Sequence, residues 1–339
     1  LLLDNNHRIR LVLKPDTELA QAKDAAEKQQ LASIKQALSD EQKQAIIASA
    51  EALKQRQEME EDLNILPKVD ISDIPKESSF SDPTGREFKS IPITSYAAGT
   101  NGIAYQQMIM PLPELSAEQM DLLPLYSTCV TEMGVGNRDY QQTQLWHSSV
   151  VGSYSAATAV RTHREDLNQL HGNLTFACKG LASNQQAMSE LMEESFTQAR
   201  FDELPRLEEL VAQILTHRES SVVSNGHVLA MMASSSGMSP YGQLKQRWGG
   251  MTGLGLLKQL REAIKSPTAL KGLAEQLKAI HQLVLQQQRQ YLLVAEKDNI
   301  DGFAATMGSV FPSQQAPLQT NNIFDYQPQL ESINHCWTA

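Results

Sequence analysis

The chain has 339 residues, of which 41% are hydrophobic and 6% aromatic, with a formal net charge of −10. That length holds one large domain plus a smaller element, or two domains of ordinary size, while the acidic balance argues against nucleic acid, whose phosphates demand clustered Lys and Arg. No apolar run approaches the roughly 20 residues of a membrane helix, and Cys129, Cys178 and Cys336 are too few and too scattered for a disulfide framework or a zinc knuckle.

His7 to Lys14 alternates Ile9, Leu11 and Leu13 with Arg8, Arg10 and Val12, the pattern of a half-buried strand. A lone strand cannot fold by itself, so its partners are expected upstream, as the last strand (1–15) of a preceding domain. Asp16 then caps a helix over Thr17 to Leu38 that has no Gly or Pro. Ser39 opens a second helix to about Leu63, with Gln42 completing a capping box. The two predict a helical hairpin linker over 16–65, mostly solvated, with a thin seam of residues such as Ile34, Leu38, Ile46 and Leu53. Pro67, Pro75, Pro83 and Gly85 make 66–86 an extended arm, pinned by Ile71 and Ile74.

A main domain is expected over 87–312. Phe88 to Tyr96 and Ile103 to Met110 alternate around Ala98-Gly99-Thr100-Asn101-Gly102, a hairpin signal. Ser116 and Gln119 form a capping box for a helix to Met133, which Pro124 should break or kink. A short helix near Asp139 to Ser148 precedes strands at Ser153 to Thr162 and Asn173 to Leu181. Four helices follow, from Asn184, Leu204 and Ser221 and as a helical turn at Ser239 to Trp248, and then helical stretches from Gly250 and Ser266. Gln290 to Glu296 is a last strand, and Asn299 to Phe311 a last helix. This order predicts an α+β fold: a mixed, largely antiparallel sheet covered by helices. The polar stretch 313–339 reads as a linker toward a missing further domain, since Trp337 has nothing after it to pack against.

The chemistry is mostly negative. A zinc peptidase needs two His one helical turn apart plus a carboxylate, as HExxH or HxxEH; no two of the eight histidines are four apart. His163-Arg164-Glu165 resembles half of a zinc deaminase motif, yet no PCxxC follows, and it reads as an exposed turn. His281 reads as a helix-surface or satisfied core histidine, Cys129 as a small core residue. Gly134-Val135-Gly136 and Gly253-Leu254-Gly255 complete no phosphate loop. The pair Met231-Met232 with Leu229 reads as core. The catalytic and metal sets are therefore expected to be empty, with the substrate-binding residues unassigned.

Three stretches together resemble the presequence-peptidase branch of the insulinase-like zinc metallopeptidases: HRIRLVLKPD through LPKVDISDIP, TNGIAYQQMIMPLPEL with LLPLYSTCVTEMGVGNRDY, and QRWGGMTGLGLLKQL. The resemblance implies a clamshell of two halves, each of two α+β domains, joined by a helical hairpin, with zinc held by the first domain and substrate-clamping Arg and Tyr in the fourth. This chain would span the hairpin and the metal-free third domain, and Leu125 to Met133 would be the counterpart of the zinc helix. It implies a non-catalytic wall of a chamber that degrades unfolded peptides, inactive alone and without a cofactor of its own, the zinc being the parent's. The implied partners are the parent's other domains and the unfolded peptide, with no nucleic acid or membrane. The compartment would be the cytoplasm in a bacterium or an organelle matrix in a eukaryote. An acidic inner face would favour basic peptides. The competing readings are a scaffold protein using the hairpin as an arm, or a catalytically dead relative of the peptidase.

Overall fold

The structure, a computed structural model, describes residues 12, 16–59, 66–76, 82–88, 91–313 and 323–324. The strand expected at His7 to Lys14 and the terminal Cys336 and Trp337 lie outside these residues. The chain divides into two compact units, Leu1–Ser78 and Ser79–Ala339.

In the first unit, α1 (Leu19–Ala37) and α2 (Asp40–Glu58) are joined through Leu38 and Ser39. Ser39 accepts from the Gln42 amide at 3.2 Å and Gln42 Oε1 accepts from the Ser39 amide at 2.9 Å, the reciprocal cap expected there. Neither helix buries a side chain. Alternating Ala, Gln, Lys and Glu favour the helical backbone without supplying an apolar face wide enough to bury, so the expected seam does not form. Residues Ile71–Asp73 make a single 3-10 turn, closed by the Asp70 amide donating to Asp73 Oδ2 at 2.9 Å. Ile71 is 89% exposed and Ile74 is exposed as well.

The second unit is the expected α+β body, a mixed sheet with helices packed on it. Its strands are β1 (Thr84–Phe88), β2 (Ile91–Ala97), β3 (Ile103–Pro111), β4 (Ser153–Thr162), β5 (Leu170–Leu181), β6 (Gln290–Ala295) and β7 (Ile323–Phe324), in the order β1-β2-β6-β3-β5-β4 with β7 added to β5. Only β2 and β6 pair in parallel among the described strands. This corrects the expected β2–β3 hairpin, because β6 lies between the two and pairs with both. The five-residue connection Ala98 to Gly102 has the reach, at about 3.3 Å per residue, to span the roughly 9.6 Å across an intervening strand. Asn101 and Gly102 still make a turn, at φ +52° and +78°, and the Gly102 amide donates to Glu296 at the end of β6.

Alternation gives the sheet one buried face, carrying Ile93, Met108, Leu174, Phe176, Tyr291 and Leu293. On it pack α3 (Ala117–Glu132), α4 (Tyr140–Val150), α5 (Gln185–Thr197) and α11 (Ile300–Val310), each contributing buried side chains, and α8 (Pro240–Gly249) touches β4 beside α3. Next to these, α10 (Pro267–Leu285) packs on α3 and α6 (Leu204–Ser221), α7 (Gly226–Ser235) on α8, and α9 (Met251–Ala263) on α6 and α8. The fourth of the expected helices, at Ser239 to Trp248, forms, capped by Ser239 with Pro240 at its first position. One expectation fails here: α7 buries no residue. Met231 is 67% exposed, while Leu229 and Met232 are half-buried, so this apolar helix lies over the surface rather than in the core.

Pro124 does not break α3, which runs continuously from Ala117 to Glu132. Proline removes the N–H that would satisfy the Met120 carbonyl one turn earlier. The Trp248 indole Nε1 donates to that carbonyl instead, at 2.8 Å. Beside it, Arg247 Nε donates to Asp121 Oδ1 at 2.8 Å, and its second nitrogen pairs with Oδ2. The α8 end of the QRWGG stretch thus clasps the second turn of α3.

Candidate functional site

The helix compared above with a zinc helix, Leu125 to Met133 of α3, faces inward. Tyr126 and Cys129 are fully buried against the core. The Tyr126 hydroxyl and His281 Nδ1 are 2.9 Å apart, and Phe196 and Phe201 pack around the pair. Burial pushes the Tyr126 phenol well above its ordinary value and the Cys129 thiol up to about 12, so both are protonated at neutral pH. Burial likewise pushes His281 down to about 4, against a smaller opposing effect of the Phe196 backbone. Its Nε2 is buried without a hydrogen-bond partner among the described residues. Ser127 and Thr158 of β4 hydrogen-bond each other at 2.9 Å.

This donor set does not fit zinc. Tetrahedral zinc sites take imidazole, thiolate or carboxylate ligands; here one imidazole already bonds a phenol, and the thiol is held protonated. Among the described residues, no group of three or more His, Cys, Asp or Glu is arranged to hold a metal ion.

The remaining residues singled out by sequence fall apart in space. His163 and His171 lie at the β4–β5 end with ring centroids 5.0 Å apart and planes tilted by 40°, and the Glu165 amide donates to His163 Nδ1. His163 is half-buried rather than exposed. His147, unremarked in the sequence, is buried, bonds Ser195 Oγ at 2.9 Å and is pushed down to about 4 by burial and then by Arg138. Cys178 is buried, its thiol pushed up to about 12. At Gly134-Val135-Gly136 the amide a phosphate would need is taken: Glu203 Oε2 accepts from Gly134 at 2.6 Å, and Oε1 from Tyr140 at 2.9 Å. The carboxylate closing the GVGNRDY loop comes from more than sixty residues away, beyond what local spacing reveals.

The strand order and the inward-facing α3 define an α+β domain, a mixed sheet with helices packed on it. Residues 13–260 match the family model for the region associated with subfamily C of the M16 peptidases, and the chain belongs to that family. It is 25% identical over 258 residues to the mitochondrial presequence protease of Xenopus laevis, covering 76% of this chain and 25% of that protein. It is 24% identical over 270 residues to presequence protease 1, chloroplastic/mitochondrial, of Arabidopsis thaliana, covering 78% of this chain and 25% of that protein. A solved structure, the peptidase M16 inactive domain from Pseudomonas fluorescens, is 14% identical, with a TM-score of 0.40 over 70% of this chain and 53% of that one. The chain spans about a quarter of the length of these two curated relatives. No helix among the described residues is long and apolar enough to cross a membrane.

Proposed function

We propose that this chain is the non-catalytic middle segment of a zinc metalloendopeptidase, forming part of the wall of a chamber that takes unfolded peptides. The observation that carries the reading is the interior of α3: a family match over 13–260 coincides with a helix whose Tyr126, Ser127, Thr128 and Cys129 occupy the place where the resemblance expects metal ligands. Residues 16–65 serve as the linker between halves, 66–86 as an arm, and 87–312 as the metal-free repeat of the peptidase fold, flanked by a strand of the preceding domain (1–15) and a linker onward (313–339). Its partners are the other domains of its own parent and the peptide. Zinc would be held by the parent's first domain and would supply Lewis-acid activation of water there; this segment would enclose and orient the peptide. The matrix of an organelle, or the cytoplasm in a bacterium, is the matching compartment.

An acidic inner face is not supported on the open face of the sheet, where Arg161 and Lys179 are exposed. The test has two arms. Purified chain incubated with an unstructured peptide should give no chelator-sensitive hydrolysis. The parent reading frame should encode HxxEH upstream, and deleting 16–312 from that parent should abolish its hydrolysis of the same peptide. Chelator-sensitive cleavage by the chain alone, or a parent equally active without 16–312, overturns the proposal.

A further inference from the structure

Beneath the exposed helix α7 lie two adjoining cavities of about 270 and 220 Å³. They share two residues, Arg218 near the end of α6 and Gly249 at the end of α8. The smaller is floored by Ser127 of α3 and Thr158 of β4, and Lys245 also borders it. Among the described residues, no Asp or Glu lines either cavity. In a chain of net charge −10, that is a local inversion of sign.

Among the described residues, neither Arg218 nor Lys245 pairs with a carboxylate, and Lys245 only lies over the Tyr241 ring. Their neighbours are paired: Arg247 holds Asp121, Lys258 holds Glu219 at 2.9 Å, and Arg261 holds Glu208 at 2.8 Å. Arg218 is half-buried. Burial alone draws it below its ordinary value, with no opposing charge to restore it. A half-desolvated guanidinium without a partner is costly unless something supplies the second charge. The wider cavity also contains Gly250 and Met251, the start of α9, which has no side-chain cap. That end carries partial positive charge, set against the partial negative charge of the α6 and α8 C-terminal ends that also line the cavities, so the side-chain cations decide the sign.

The roof is of a different character. Val228, Leu229 and Met232 of α7 close the cavities from above, on a helix that buries nothing and follows Val223, 94% exposed. A methionine-bearing cover of this kind adapts to varied apolar groups. Each cavity falls below the roughly 300 Å³ at which pockets take whole small molecules. They suit the end of a chain: one carboxylate at Arg218 and one apolar side chain under α7.

We infer that the Arg218 cavities bind the C-terminal residue of an unfolded peptide, its α-carboxylate on Arg218 and its apolar side chain beneath Leu229 and Met232. This rests on the reading of the chain as a peptide-chamber wall. It assigns that wall an anchoring point selective for free carboxyl ends.

The experiment uses the whole chain and a fluorescein-labelled, unstructured ten-residue peptide ending in leucine, as the free acid and as the C-terminal amide, with binding read by anisotropy. The free acid should bind at least tenfold more tightly than the amide. Arg218→Gln should bring the acid to the amide's affinity, and Arg218→Lys should retain part of the preference. Met232→Trp, on the exposed helix, should fill the smaller cavity and weaken the acid at least tenfold, with helicity unchanged by circular dichroism. An amide-capped peptide with an internal glutamate should behave as the amide; binding like the acid would assign the site to acidic side chains and overturn the chain-end inference. Equal binding of acid and amide, or a preference surviving Arg218→Gln, overturns the site while leaving a peptide-binding wall intact. No binding of either peptide overturns the site too, while the chamber reading is decided separately by the deletion in the parent.

Discussion

Replacing Trp248 by phenylalanine tests whether the indole is what permits a proline inside α3. The Met120 carbonyl is denied its normal donor by Pro124 and receives the Trp248 N–H at 2.8 Å in a buried setting. Trp248→Phe strands that acceptor, at about 1–3 kcal/mol, and leaves an unfilled edge of the indole pocket worth about 1 kcal/mol more. Pro124→Ala returns a backbone N–H to the same carbonyl. In that background Trp248→Phe should cost only its packing part, giving a coupling of about 1–3 kcal/mol between positions 124 and 248. Urea unfolding of the four proteins of this cycle, followed by circular dichroism, measures it. Costs that add to within about 0.5 kcal/mol would refute the substitution of an indole for the missing amide.

Between pH 7 and 5.5 stability should fall. His147 and His281 are held neutral with pKa values pushed down to about 4, below the unfolded value near 6.5. The unfolded chain therefore binds more protons as the pH drops through that window, at a cost of roughly 1 kcal/mol per histidine by pH 5.5. The loss continues toward pH 4, and His281→Gln should flatten the slope of the urea midpoint; an unchanged slope would reject the buried neutral imidazole. Gly253 and Gly255 should respond oppositely to alanine. A Cβ at Gly253 would collide with the Arg247 carbonyl and lie 3.0 Å from that of Trp248, costing about 1–3 kcal/mol. At Gly255 a Cβ meets nothing within 4 Å, and the helix should gain about 0.5–1 kcal/mol; thermal melts that rank the two alike would contradict the packing described. Finally, Cys129 and Cys178, buried and pushed up to about 12, should resist alkylation by N-ethylmaleimide at pH 7.5 until the protein unfolds. Labelling at the rate of a free thiol, mapped by mass spectrometry, would contradict their burial.

Much of the fold was legible because local signals agree with the tertiary answer. The reciprocal caps at Ser39 and Ser116 mark helix starts to the residue. Alternation marks β3 and β5, each with one buried face, and β4, whose inner face is half-buried and outer face exposed. What failed was non-local. Nothing near Ala98 to Gly102 reports that β6 will enter between the flanking strands, and nothing near Pro124 reports a tryptophan whose bond to Met120 spans 128 positions. The strand β1 was missed because TGREF, opening on Thr-Gly, has little alternation of its own and exists by pairing with β2. At the candidate site, the absence of paired histidines was visible from spacing. The Tyr126–His281 contact, spanning 155 positions, was not, and neither were the cations beneath α7. Apolar residues at helical spacing read as core, and only the three-dimensional arrangement reveals that α7 is a cover.

The late arrival of β6 has a cost during synthesis. The central sheet cannot close until Gln290–Ala295 has been made, although β2 and β3 emerge nearly two hundred residues earlier. At about 5–20 residues per second, their inner edges wait on the order of 10–40 s for a partner. Through that interval two apolar strands present bare backbone toward one another and toward any neighbouring chain. The yield of native protein should therefore depend more on how fast the ribosome proceeds, and how crowded its surroundings are, than on the stability of the finished sheet.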